Sequence, residues 1–265
     1  MDDAYIRQTW SLTKRELKHW YRSRPQILMT FVMPLIWLTL FGFAMSGFVS
    51  SMGDIDYFSF LAMGIVVMSA LSTAMNSGMS LVWDRKFGFL DKLKVTPIPR
   101  GIIPLARILS TAIKTIIQSL IMLGIALLLG LNLSPDFSIM SFLIIILVIV
   151  CTSMTFSSIF VTIGLVIKNQ DVLMSVNVLL NLPLMMASGL MFPTSSFPNW
   201  LQVIANLNPL TYAADVIRRV SIDIPNTLIS IPSLSIGQDI LVIVLVAILF
   251  TIFGMLFAKR SLRAQ

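Results

Sequence analysis

Six long apolar runs, at about 26–48, 58–82, 108–131, 138–164, 172–192 and 238–258, limit what this 265-residue chain can fold into. A hydrocarbon layer about 30 Å thick is crossed by about 20 residues of helix. Inside that layer no water is available to the backbone, so every N–H and C=O must find a partner within the chain. Runs of this length and composition therefore predict an all-α membrane protein with six transmembrane helices. Only 12% of the residues are charged, roughly half the share of about 25% in soluble domains. No polar linker or low-complexity stretch divides the runs, so residues 1–265 read as one transmembrane domain. The first 24 residues are too polar, and the first run too long, for a cleavable signal peptide.

The positive charges give the direction. All but Arg218 and Arg219 of the 19 Lys and Arg residues fall on one side of the six runs. They lie before the first run, between the second and third, at the base of the third, between the fourth and fifth, and after the last. Lys and Arg collect on the cytoplasmic side, which predicts a multi-pass protein of the cell (inner or plasma) membrane with both termini in the cytoplasm. The acidic residues divide evenly and carry no topological weight. A formal charge of +7 raises the question of nucleic acid. That partner is excluded because the basic residues sit at the ends of apolar runs rather than among aromatics on a solvated face. Lys114, one or two turns into the third run, has a stem long enough to reach the headgroups.

Three segments are not spans. In residues 3–24, Ile6, Trp10, Thr13, Leu17 and Trp20 share one helical face, and Arg7, Lys14, Lys18 and Arg22 take the others. A basic amphipathic helix of this kind lies along the inner headgroup plane, and Pro25 ends it before the first span. In the loop 83–107, Phe87, Leu90 and Leu93 recur three apart, and Pro97, Pro99 and Pro104 stop any longer helix. Composition leaves two readings of that loop open, a plug for a groove on a partner protein and a loop lying on the membrane. Residues 193–237 hold two helices too short to span, divided at Asn208–Pro209, with Pro198 and Pro209 suited to first-turn positions. They are expected to dip into the outer leaflet or cap the bundle, with Asp215 spaced to pair with Arg218 or Arg219.

The chemistry missing from the chain is equally informative. The one histidine, His19, lies in the basic helix, and the one cysteine, Cys151, lies inside an apolar run. Neither a nucleophile–base pair nor a cysteine or histidine metal site can be assembled, so no catalytic, cofactor-binding or metal-binding residue is expected. No G-x-x-x-x-G-K-[ST] loop is present to bind ATP. The spans lack the ionisable groups of ion-driven carriers. Their polar groups are neutral: Asn76, the hydroxyl residues between Thr152 and Ser158, and Asn177, Asn181 and Ser188. The last three, with Asn76, either line a substrate path or hydrogen-bond between helices at roughly 0.6 kcal/mol each, and packing is the simpler role. The 17 methionines suit a pliable surface for greasy ligands or ordinary core contact.

Asp84-Arg85-Lys86-Phe87-Gly88-Phe89-Leu90, running on to Leu93 and Pro97, resembles the coupling segment after the second span in permease subunits of ABC-2 type ATP-binding-cassette transporters. Many members of that family have Glu where this chain has Asp84. Gly189-Leu190-Met191-Phe192-Pro193, followed by Pro198, Asn208-Pro209-Leu210 and Tyr212, is similar to their signature before the last span. The daunorubicin-resistance exporter permeases are the most alike. This resemblance implies two permease copies, as a homodimer, driven by two cytoplasmic ATPase subunits that hold ATP and Mg. It implies that Asp84, Arg85, Phe87, Gly88, Leu90, Leu93 and Pro97 contact the ATPase. It also implies that Pro193, Pro198, Trp200, Pro209 and Tyr212 belong to an extracytoplasmic gate. The expected function is outward movement of a hydrophobic or amphipathic substrate (drug, lipid or lipid-linked glycan), with no enzymatic activity in this chain. A membrane scaffold or assembly factor and a passive channel are the alternatives. The charge sorting has a direct test. Lys94→Cys should react with a membrane-impermeant maleimide only in inside-out vesicles and Asn226→Cys only in right-side-out vesicles; the reverse pattern would overturn the orientation.

Overall fold

The computed structural model describes residues 2–50, 56–89, 99, 101–167, 169–225, 231 and 234–264, and no strand occurs among them. The chain opens with α1 (Asp2–Arg22), breaks at Ser23 and restarts as α2 (Arg24–Ile36), with Pro25 in its first turn. A missing N–H costs nothing there. A π-helical turn, Trp37–Phe41, joins α2 to α3 (Gly42–Ser50). Pro34 lies just before that turn; its ring crowds the carbonyl four residues back and removes a donor, which favours the wider winding. The rings of Trp37 and Phe41 stack across it with centroids 4.6 Å apart.

The central helix is α4 (Tyr57–Lys86). Of its membrane-crossing stretch 94% is buried, against 17% for Ile27–Gly47 and 22% for Ile236–Ala258. The chain therefore wraps its other helices around α4 and leaves the first and last spans largely uncovered. Asp56 caps α4, accepting from the Ser59 N–H at 3.1 Å and the Ser59 hydroxyl at 2.6 Å. Its other bond, from Asn132 Nδ2 at 3.0 Å, ties the loop after α5 (Ile102–Leu128) to the same end. Burial of Asp56 works against its charge, but these hydrogen bonds outweigh it and hold the carboxyl below the usual aspartate range.

Small residues set the close crossings. A Cβ at Gly78 would collide with the Phe160 carbonyl, and one at Gly164 would stand 2.6 Å from the Gly78 carbonyl. Here α4 and α6 (Ile139–Val166) meet backbone to backbone. Gly254, on α10 (Ile236–Ala264), faces Ser158 and Thr162 of α6, and a Cβ there would sit at 3.3 Å from both. The buried hydroxyls of α6 mostly bond to their own helix: Ser153 to the Val150 carbonyl, Thr155 to Cys151, Ser158 to Met154. They act as small packing residues, which is how helices associate where lipid removes the hydrophobic drive.

Among the described residues, five stretches are long and apolar enough to cross a membrane, and α7 (Gln170–Met186) is a sixth, shorter apolar helix. The sequence run 172–192 overstates it. Pro183 lies in its last turn, and the chain leaves the helix at Ala187, with Gly189 in the left-handed region at φ +68°. Its 17 residues rise about 25 Å, a little under the hydrocarbon thickness. The two short helices predicted near Pro198 and Pro209 are present as α8 (Asn199–Leu207) and α9 (Pro209–Ser221). Asn208 divides them, accepting the Leu210 N–H at 3.1 Å and donating to the Leu184 carbonyl of α7 at 2.8 Å.

Gly78→Val should lower the melting temperature in detergent by the equivalent of about 1–3 kcal/mol, the usual cost of overpacking, or prevent folding altogether. Gly124→Val, on α5 with nothing within 4 Å of its Cβ position, should leave the melting temperature within about 1 kcal/mol of wild type.

Candidate functional site

An ion cluster joins three helices at the end of the bundle that carries α1. Arg107, in the second turn of α5, is only 4% exposed. Its guanidinium donates to the Asp84 carboxylate and the Ser80 hydroxyl of α4, and to Glu16 Oε2 of α1 at 3.4 Å. Arg15 closes the cluster from outside. Its two terminal nitrogens fork across Asp84 at 3.1 and 3.2 Å, and one also reaches Glu16 Oε1 at 3.0 Å. Two arginines and two carboxylates alternate, so the group is neutral and every charge faces its opposite. Thr13, fully buried, adds a bond to the Ala106 carbonyl at 3.3 Å. The buried side of α1 is thus Thr9, Thr13 and Glu16, while Ile6 and Trp10 from the expected apolar face stay exposed.

Arg85 points the other way. It donates to the Leu165 carbonyl at 2.9 Å and the Ile167 carbonyl at 3.5 Å, where α6 ends. Carbonyls at a helix C-terminus lack partners in their own helix and attract positive charge. Adjacent residues of α4 therefore link it to α1 and α5 through Asp84 and to α6 through Arg85. Beyond them Phe87 is 78% exposed, Gly88 turns the chain at φ +68°, and the Phe89 ring lies under Arg15, 3.4 Å from its guanidinium carbon. Leu90, Leu93 and Pro97, the other predicted coupling positions, lie outside the described residues.

At the opposite end Arg218 of α9 is buried among backbone carbonyls. It donates to Phe60 at 3.2 Å, Gly189 at 2.9 Å and Leu190 at 2.7 Å, and lies over the Phe60 ring at 3.5 Å. Gly64 makes room for this: a Cβ there would collide with the Leu190 carbonyl and stand 2.9 Å from the Arg218 nitrogen. The Tyr57 hydroxyl takes the next carbonyl, Met191, at 3.0 Å. The turn after α7 thus has three successive carbonyls satisfied by side chains of α4 and α9. Arg219 donates to Leu234 at 2.6 Å and Ile231 at 2.9 Å and lies 3.3 Å from Asp239 at the start of α10. Asp215 accepts the Ile231 N–H at 2.9 Å. Hydrogen bonds from these residues reach neighbouring segments, and Asp215 also attracts Arg218 on its own helix, as the spacing suggested.

Of the expected gate residues, Pro193 precedes a short 3-10 turn, Pro198 and Pro209 start α8 and α9, and Trp200 is 65% exposed. Tyr212 donates to the Asn206 carbonyl at 2.7 Å, locking α9 against α8. Between these ends lies a cleft of about 470 Å³, formed by Met29, Met33 and Trp37 with Met68 and Asn76 of α4 and Asn181 and Met185 of α7. Asn76 and Asn181 line it; Asn177 and Ser188 do not, and Ser188 is buried against the Met185 carbonyl at 2.7 Å. The side-chain oxygens of Asn177 and Asn181 accept no hydrogen bond among the described residues, so they form no bridge between helices.

Comparison with known proteins identifies the family. The model of the ABC-2 type transporter family matches residues 7–221. The chain belongs to that family. It is 32% identical, over 98% of its length, to the ycf38 transport permease of Cyanophora paradoxa, covering 90% of that protein. It is also similar to the doxorubicin resistance ABC transporter permease DrrC of Mycobacterium tuberculosis, at 25% identity over 81% of this chain and 76% of the other. A third relative is the daunorubicin resistance ABC transporter permease DrrB1 of Streptomyces coeruleorubidus, at 23% over 74% and 68%. An ABC-2 permease is a membrane subunit that works with ATP-binding-cassette ATPase partners. The matched region of this one runs from α1 to the end of α9 and takes in the ion cluster and Arg218 with its carbonyl partners.

Sequence reasoning identified Asp84 and Arg85 but missed Arg15, Glu16, Ser80 and Arg107 as their partners, and Arg218 as a carbonyl clamp. Signals were present: Glu16 is the chain's only glutamate, set among basic residues, and Arg218 breaks the charge sorting. Arg107→Ala should destabilise the purified ABC-2 permease by about 3 kcal/mol, because it leaves buried carboxylate charge unmatched. Arg15→Ala, on the exposed side of the cluster, should cost about 1 kcal/mol or less. Denaturation in detergent measures both.

Proposed function

We propose that this chain is the membrane-spanning permease subunit of an exporter, moving a hydrophobic or amphipathic substrate outward with energy from ATP. ATP and Mg bind a separate cytoplasmic ATPase, two copies per complex, and two permease copies form the pore. The α1 end faces the cytoplasm, as the sorting of Lys and Arg requires, and α1 lies at the inner headgroup layer. The observation that carries this reading is the junction of Asp84 and Arg85. A push on the exposed segment at Phe87 and Gly88 passes directly into α1, α4, α5 and α6, because charge-assisted bonds join all four there.

The rest of the molecule is consistent with that role. The first span and the last are largely uncovered, leaving apolar faces for a second permease copy and for lipid. The Met-lined cleft with Asn76 and Asn181 suits greasy, variable cargo. α8 and α9, clamped by Arg218 and Tyr212, form the extracytoplasmic gate, with α7 as the remaining span. Resistance proteins among the relatives support export of amphipathic compounds.

Reconstituting the chain with its ATPase partner tests the proposal. Phe87→Asp should abolish substrate-stimulated ATP hydrolysis while leaving the melting temperature of the permease unchanged, since that side chain is 78% exposed. Full stimulation in that variant would remove the coupling role.

A further inference from the structure

Lys114 of α5 stands about two turns, or roughly 10 Å, deeper along its helix than Arg107. It lines a partly enclosed polar cavity of about 50 Å³ between α1, α4 and α5, together with His19, Thr73, Asn76 and Gln118. Among the described residues its ammonium has neither a hydrogen-bond nor an ion-pair partner. Glu16 and Arg107, the other charged groups at the cavity, are engaged with each other. An ammonium held away from bulk water without a partner is costly, so the cavity favours an anion. At about 10–15 Å³ for each water, the space holds about four waters, the room needed by a phosphate or carboxylate group and too little for a sugar.

The cavity adjoins the Met-lined cleft. Thr30 and Asn76 belong to the walls of both. The cleft is about 470 Å³ by the same measure and lined mainly by Met29, Met33, Trp37, Leu182 and Met185, a surface suited to an alkyl chain. One ligand chemistry fits a small cationic chamber opening into a long apolar one. We propose that Lys114 and its cavity bind the anionic headgroup of an amphiphile whose chain lies in the cleft. The bound molecule is a phosphate- or carboxylate-headed amphiphile, either a membrane phospholipid held in place or the cargo itself. Only the choice between those two sources rests on the exporter reading.

Native mass spectrometry of the full chain, titrated with dodecyl phosphate, dodecanol and dodecyltrimethylammonium, tests the site. Dodecyl phosphate should bind about tenfold or more tightly than the other two, as expected for a hydrogen-bonded charge pair. Lys114→Met should remove that preference while leaving dodecanol binding intact, and Lys114→Arg should keep it. A 12-bromododecyl phosphate should quench Trp37, and Trp37→Phe should abolish that part of the quenching. Equal binding of the three amphiphiles, or unchanged phosphate affinity in folded Lys114→Met, overturns the site. If Lys114→Met does not fold, the headgroup preference of the wild type and its retention in Lys114→Arg decide. Once binding is shown, stimulation of ATP hydrolysis by dodecyl phosphate in the complex marks it as cargo, and binding without stimulation marks a resident lipid. A complex that hydrolyses ATP without response to any amphiphile counts against the exporter reading and leaves the binding result standing.

Discussion

Helix ends have carbonyls without partners, and in a membrane protein no solvent stands ready to take them. Arginine solves this problem three times here. Arg85 serves the end of α6, Arg218 the turn after α7, and Arg219 the stretch entering α10. Each guanidinium brings several donors in a fixed fork, so one side chain both satisfies a broken helix and fixes it to a neighbour. The positions of α7, α9 and α10 relative to α4 depend on those bonds, and so does the burial of α4 that the rest of the bundle is built around.

The cluster of Arg15, Glu16, Asp84 and Arg107 uses the same chemistry with carboxylates in place of carbonyls. Isolated exposed ion pairs contribute little. This one differs because Arg107 is buried and each carboxylate is shared by two arginines, so removing Arg107 leaves two carboxylates facing one half-exposed arginine. A link that is costly to break holds α1, α4 and α5 together as one unit. The similarity to drug-resistance permeases places this junction in a transporter, and the exposed Phe87 beside it is where an outside body has access.

Long-period signals were the most legible in the sequence. Apolar runs located the spans to within a few residues for α4, α6 and α10, because the bilayer imposes a length that no local preference overrides. The short helices α8 and α9 were readable from Pro198 and Pro209, whose backbone limits are local. The end of α7 was not: Ala187 to Phe192 are as apolar as the helix before them, and only Gly189 and the distant Arg218 take the chain out of it. Side-chain partners were equally opaque. Arg107 bonds to residues 23 and 91 positions away, and no spacing rule along one helix connects such pairs. Asn177 and Asn181 share a helical stripe, yet the bundle brings only Asn181 to the cleft, and Ser188 lies beyond the end of α7.

The backbone contact of Gly78 with Phe160 and Gly164 also fixes where α4 can turn. Arg85 is seven residues below that crossing, about 10 Å along the axis, and Phe60 is 18 residues above it, about 27 Å. A stiff rod pivoting there is a lever with unequal arms, and its fulcrum lies close to the end that carries Asp84 and Arg85. A shift of 1 Å at Asp84 and Arg85 would be returned at Phe60, where Arg218 holds the far turn, as a swing of nearly 3 Å in the opposite direction.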